Sequence, residues 1–201
     1  MPRSTRTFLM LVGTAATLGL LVGNAAANHL STSSRSMRST WTSVEFIEPL
    51  GGAIRCSLTL EGSLHSATIT KTPELLVGFI TRASISNPCS GGEAAVLPEG
   101  LPGHLRYAGF TGTLPNITSV ILDMVSWSFR VTGSFGRCLF SVGVTHSIVQ
   151  KYKLNANHAV SGVELSGSIT SSENCGPFGE RVTDTLQGNS ATNSAQTITL
   201  I

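Results

Sequence analysis

The chain has 201 residues, of which 12% are charged, 41% hydrophobic and 6% aromatic, with a formal net charge of +2. That length carries one packed core of ordinary size or two small ones. So few charges exclude a coiled coil, a charged disordered tail and a nucleic-acid binder that works by bulk positive charge.

Residues 1–27 read as a secretory signal peptide. Arg3 and Arg6 give a basic start, an apolar run extends from Phe8 to Val22, and Asn24-Ala25-Ala26-Ala27 supplies small residues at a cleavage point. The apolar run holds 15 residues, short of the roughly 20 that a spanning helix needs. Cleavage is expected after Ala27, leaving 174 of the 201 residues as a secreted, extracellular chain with no membrane partner. Losing Arg3 and Arg6 leaves eleven basic and eleven acidic residues, so the mature charge is zero. That balance gives no electrostatic steering toward nucleic acid or a membrane surface.

Residues 28–39 are polar and unpatterned, and a flexible N-terminal arm is expected there. From 40 to 201 the pattern is that of a single all-β domain. Alternate side chains of a strand point to opposite faces, so a period of two marks a half-buried strand. Val44 and Phe46 alternate with Ser43 and Glu45. Ile54, Cys56, Leu58 and Leu60 form the clearest such face, against Arg55, Ser57, Thr59 and Glu61. Leu75 to Ile80 is a continuous apolar run, read as a strand buried on both faces, and Val120 to Val125 is similar apart from Asp123. Trp127, Phe129 and Val131 make another apolar face, as do Cys138, Phe140, Val142 and Val144. Turn signals rich in Gly, Pro and Asn separate these runs, at 49–52, 72–74, 87–92, 98–103, 114–116, 133–136 and 175–179. Ten to twelve short strands with regular turns indicate an antiparallel β-sandwich, with a β-barrel as the alternative.

All four cysteines, Cys56, Cys89, Cys138 and Cys175, lie in the mature part. An even count in an exported chain points to two disulfides, and no pair has the close spacing of a zinc ligand set. The two halves resemble each other. Trp41, a Gly-rich turn, Arg55-Cys56, His65-Ser66 and Cys89 are followed by Trp127, a Gly-rich turn, Arg137-Cys138, His146-Ser147 and Cys175. Trp to last Cys is 48 residues in each half. Half-repeats at 41–89 and 127–175 would pair Cys56 with Cys89 and Cys138 with Cys175. Chance similarity in a Ser-, Gly- and Val-rich background is the competing reading.

Catalytic and ligand-binding patterns are sparse. A serine hydrolase needs a nucleophile, a base and an orienting acid, yet the chain has no Gly-x-Ser-x-Gly elbow and only Asp123 and Asp184 as aspartates. The five histidines, His29, His65, His104, His146 and His158, are scattered. His65 and His146 hold matching places in the half-repeats, explained equally by a duplicated structural residue. Asp123, inside an apolar run, is a candidate for a perturbed carboxyl. Tyr107 and Tyr152 are the best candidates for exposed rings of the kind sugar-binding modules display. Asn116-Ile117-Thr118 matches the glycosylation sequon. No catalytic, cofactor-binding or metal residue is assigned, and no cofactor is expected.

At Ile54-Arg-Cys-Ser-Leu-Thr-Leu-Glu-Gly-Ser-Leu-His-Ser66 and Gly103-His-Leu-Arg-Tyr-Ala-Gly-Phe-Thr-Gly-Thr-Leu-Pro-Asn-Ile-Thr118 the chain resembles a group of uncharacterised exported β-rich proteins of high-GC soil bacteria. The resemblance implies a secreted bacterial protein and carries over no activity and no catalytic residue.

The expectation is therefore a non-enzymatic extracellular binding or structural β-domain, with a polymer or protein outside the cell as partner. A small secreted hydrolase and a small-ligand carrier barrel are the alternatives. A cleft with convergent His and carboxylates would favour the hydrolase, and a large apolar cavity would favour the carrier. A filled core would favour the binding or structural role.

Overall fold

The structure, a computed structural model, describes residues 29–47, 52–134, 136–173, 175, 181–193 and 196–200. The signal peptide expected at 1–27 and most of the turn expected at 49–52 lie outside the described residues, as does 176–179 of the last turn.

The described chain is all-β, apart from one 3-10 turn at Pro98–Gly100. In chain order the strands are β1 (His29–Thr32), β2 (Ser36–Ile47), β3 (Ala53–Leu64), β4 (Thr68–Thr70), β5 (Leu76–Ser90), β6 (Glu93–Val96) and β7 (Gly103–Thr113). They continue as β8 (Asn116–Val125), β9 (Trp127–Gly133), β10 (Gly136–Val142), β11 (Ile148–Leu154), β12 (Val160–Ser171), β13 (Thr183–Asn193) and β14 (Ile198–Leu200). The fourteen described strands exceed the ten to twelve expected by the three short strands of a separate small sheet, β1, β4 and β14, and two of the long strands are interrupted by kinks. Ser126, at φ 60°, separates β8 from β9, and the loop at 143–147 separates β10 from β11 opposite it.

Antiparallel ladders join β2, β3, β5, β7, β8, β11, β12 and β13 in that order, and β13 pairs back to β2. Of the two closures weighed from the sequence, the sheet therefore takes the one that comes round on itself. Beyond the kink a second storey uses the same wall strands. There β6 pairs with β9, β9 with β10, and β10 with β12. Asn87 holds β6 beside the far end of β5, its Nδ2 donating to the Ala94 carbonyl at 2.9 Å and its Oδ1 accepting from the Ala94 N–H at 3.3 Å.

Period-2 patterning dictates what faces inward. Ile54, Cys56, Leu58 and Leu60 are buried, as are Val44, Phe46, Trp127, Phe129, Val131, Cys138, Phe140 and Val142. Val144 does not continue its face, because it lies in the loop after β10 and is 66% exposed. The runs at 75–80 and 120–125 are not buried on both faces. Leu75 and Leu76 are exposed and Phe79 half-buried, while Ile121 and Asp123 alternate outward between buried Val120, Leu122 and Met124. A ring has one interior, so each strand needs only one apolar face.

The arm expected at 28–39 is instead two strands from residue 29. β1 lies between β4 and β14, pairing Leu30 with both Ile69 and Leu200. This small sheet covers one mouth of the ring and buries Leu30, Ile69 and Ile198, and Met37 and Ser39 are buried at the start of β2. Burial of these few side chains outweighs the polar composition of the segment. Gln196 ties the cap down, donating through Nε2 to Thr32 Oγ1 at 2.7 Å and to the Ser34 carbonyl at 3.0 Å.

Both disulfides sit toward the opposite mouth, and the pairing is the within-half one. Cys56 of β3 joins Cys89 of the neighbouring β5, with Cα atoms 4.6 Å apart. Cys138 of β10 joins Cys175, which follows the neighbouring β12, with Cα atoms 5.3 Å apart. Cys138 lies opposite Val131 as Cys56 lies opposite Val44. Four steps round the ring carry β2 to β9 and Trp41 to Trp127, both buried.

Candidate functional site

A barrel interior is the first place to look for a ligand. Here it is occupied by side chains. Trp41, Trp127, Tyr152, Phe129, Phe140, Leu58, Leu105, Met124, Ile148 and Leu165 are all below 2% exposure or at it. Phe129 stacks on Phe140 with ring centres 5.6 Å apart and tilts against Trp127 at 5.4 Å and Phe46 at 5.3 Å. The cavity under the cap, lined among others by Met37, Tyr152 and Gln196, measures about 10 Å³, the size of a single water.

Tyr107 and Tyr152, expected as exposed rings, are both buried. Tyr152 shares the inner face of β11 with Ile148 and Gln150, and its hydroxyl donates to Gln150 Oε1 at 2.8 Å. Burial pushes its phenol far above the ordinary value, and a hydrogen bond with Ser39 only partly opposes this. Burial likewise raises Tyr107. Both rings are core, and neither is a platform for a ligand.

The scattered histidines stay apart. His65 follows β3 at the capped mouth, His104 lies on the outer face of β7, and His146 sits in the loop between β10 and β11, where its Nδ1 contacts Thr145 Oγ1 at 3.0 Å. His29 is exposed at the start of β1, and His158 is in the turn before β12. His65 and His146 each follow the strand that carries the matching cysteine, β3 and β10. Phe79 stands between His65 and His104 across three adjacent strands, with ring centres 4.6 and 5.2 Å away. Among the described residues no group of three His, Cys, Asp or Glu side chains could hold a metal ion.

Asp123 is opposite Arg106 on the outer face, between β7 and β8. Partial burial and the Glu74 carboxylate raise its carboxyl, and the Arg106 guanidinium opposes them. Arg106 itself pairs with Glu74. Among the described residues no hydrogen bond or ion pair joins a histidine to this trio, although His104 shares the outer face of β7 with Arg106. The sequon residue Asn116 is exposed at the turn between β7 and β8.

The ladder between β2 and β13 has an opening that sequence reasoning missed. Pairing runs from Thr185 with Ile47 to Gly188 with Val44 and resumes at Thr192 with Thr40. Residues 41–43 face 189–191 without pairing. Both flanking ladders are irregular at the same level, between Trp41 and Val44 toward β3 and between Val163 and Leu165 toward β12. A polar cleft of about 220 Å³ lies over the opening, lined by Thr42, Ser43, Glu45, Gln187 and Gly188. The missed signal was in the spacing: Trp41 to Val44 is a step of three inside a period of two, which is how an extra bulge residue reads in a sequence.

No family model matches the chain, and neither a curated protein nor a solved structure matches it.

Proposed function

We propose that the protein is a secreted, non-enzymatic binding module that engages an extracellular polymer with the outer surface of its barrel. The observation that supports this most is the interior, which the described side chains pack, with a cavity of about 10 Å³ under the cap. The mature charge balance and the two disulfides fit a chain that works outside the cell. Among the described residues no helix is long and apolar enough to cross a membrane. Asp123, a carboxyl raised by partial burial, has Arg106 opposite it and no hydrogen bond or ion pair to a histidine among the described residues.

The test is a sedimentation panel. The secreted protein is mixed with cellulose, chitin and isolated cell walls, and separately with a fluorescent fatty acid. Saturable pelleting with at least one polymer and no fluorescence enhancement is expected. Stoichiometric uptake of the fatty acid with no pelleting would replace this reading with the carrier.

A further inference from the structure

We propose that the cleft between β2 and β13 is a binding site for one sugar unit of a neutral extracellular saccharide. The proposal rests on the binding reading above and names its site and ligand class.

Three features set this place apart from the rest of the wall. The first is the gap in pairing at 41–43 and 189–191, flanked by irregular ladders on both sides. Bulges bend a strand and leave backbone groups outside the ladder, and they concentrate next to functional sites. The second is the floor. Gly188 forms part of the lining, and a Cβ there would point inward, 3.0 Å from both Trp41 Cδ1 and Val44 Cγ2. Glycine therefore lets β13 lie close over the buried core residues Trp41 and Val44 and present bare backbone beneath the cleft.

The third feature is the chemistry of the lining. Thr42 and Ser43 bring hydroxyls, Gln187 an amide and Glu45 a carboxylate. Gln187 and Glu45 are cross-strand partners. Arg55 on β3 donates its Nε hydrogen to Glu45 Oε1, which orients the carboxylate from the far side. Hydroxyls and an amide each both donate and accept, while the carboxylate only accepts. That set suits a ligand whose own groups do both, as sugar hydroxyls do. An anion would meet Glu45, an apolar molecule would leave the polar groups unsatisfied, and a metal ion would find one carboxylate already committed to Arg55. The volume, about 220 Å³, is below the 300–1,000 Å³ typical of drug-sized sites, so it admits one ring and leaves the remainder of a chain on the surface.

The experiment is a titration of the ¹⁵N-labelled secreted protein with cellotetraose and with chitotetraose to millimolar concentration, followed by amide shifts. Shifts concentrated at 42–45 and 187–188 are expected with at least one of the two. Gln187→Ala, on the exposed side of β13, should weaken that affinity about three- to tenfold through loss of one hydrogen bond, with an unchanged melting temperature. Shifts elsewhere, for example around Phe79 and His104, or none with either sugar, overturn the assignment. A protein that pellets with a polymer while its cleft amides stay silent refutes the cleft alone. One that neither pellets nor shifts refutes the binding reading as well.

Discussion

The indole N–H of Trp41 donates to the carbonyl oxygen of Val163 at 2.9 Å, reaching from β2 past β13 to β12 inside the ring. It spans the place where β2 and β13 stop pairing, so a side chain closes what the backbone leaves open. Trp127, four strands round the ring and equally buried, has no acceptor for its indole N–H among the described residues. The two tryptophans should therefore respond differently to replacement. Trp41→Phe loses the bond to the Val163 carbonyl, whereas Trp127→Phe loses no hydrogen bond to a described residue. Urea unfolding should show Trp41→Phe the more destabilised by about 1–3 kcal/mol. Equal losses would mean that the bond across β13 contributes nothing.

The disulfides staple neighbouring strands at the mouth away from the cap. They close segments with sequence separations of 33 and 37 residues. Chain-entropy reasoning gives about 3.5–4 kcal/mol for each as an upper guide. Cys56→Ser with Cys89→Ser, and Cys138→Ser with Cys175→Ser, should each lower stability by up to that amount in a denaturant titration. Peptide mapping without reductant should link 56 to 89 and 138 to 175. A fragment joining Cys56 to Cys138 would contradict the strand adjacency described above.

Asp123 gives a pH signature. Its carboxyl is raised by burial first and by Glu74 second, so the folded state holds this proton more tightly than the unfolded chain does. Such a group favours folding most below its ordinary value of 3.8 and loses that contribution as pH rises through the folded value. Asp123→Asn cannot titrate. Its melting temperature relative to wild type should therefore climb as pH goes from about 3 to 7, then level off. A difference that does not change with pH would show that the carboxyl is not held above its ordinary value.

Alternation carried the wall strands from sequence to structure wherever one face was plainly apolar, as at Ile54, Cys56, Leu58 and Leu60. It failed where the inner face is itself polar. On β11 the inward residues are Ile148, Gln150 and Tyr152, flanked by Lys151 and Lys153, and the ring looks as though it belongs outside until Gln150 is seen accepting its hydrogen bond. It failed again at β1, where Leu30 is the single large apolar residue beside a buried Thr32, and the partners at 68–70 and 198–200 are remote in sequence. The cleft was hidden for a third reason. Thr42, Ser43 and Gln187 are ordinary surface residues of two strands, and only the failure of those strands to pair brings them together around a hole.

Gly62 tests the register of the wall. The β3–β5 ladder shifts between Glu61 and Gly62, and a Cβ at 62 would lie 2.1 Å from the Phe79 carbonyl oxygen. Backbone must move to admit it, so Gly62→Ala should cost about 1–3 kcal/mol. Gly109, where a Cβ meets nothing within 4 Å, is the control, and Gly109→Ala should shift the melting temperature little. Comparable losses at both positions would place the close approach of β3 and β5 in error.

The central claim is that this barrel holds a polymer without cutting it. The measurement that tests it most directly is a binding isotherm on the polymer that pellets the protein, with soluble reducing sugar assayed in every supernatant over a day. A saturable isotherm with no sugar above the protein-free control is the predicted result. Soluble sugar that accumulates with time and scales with protein concentration would show a hydrolase, and no retention on any polymer would show that the outer surface does not bind one.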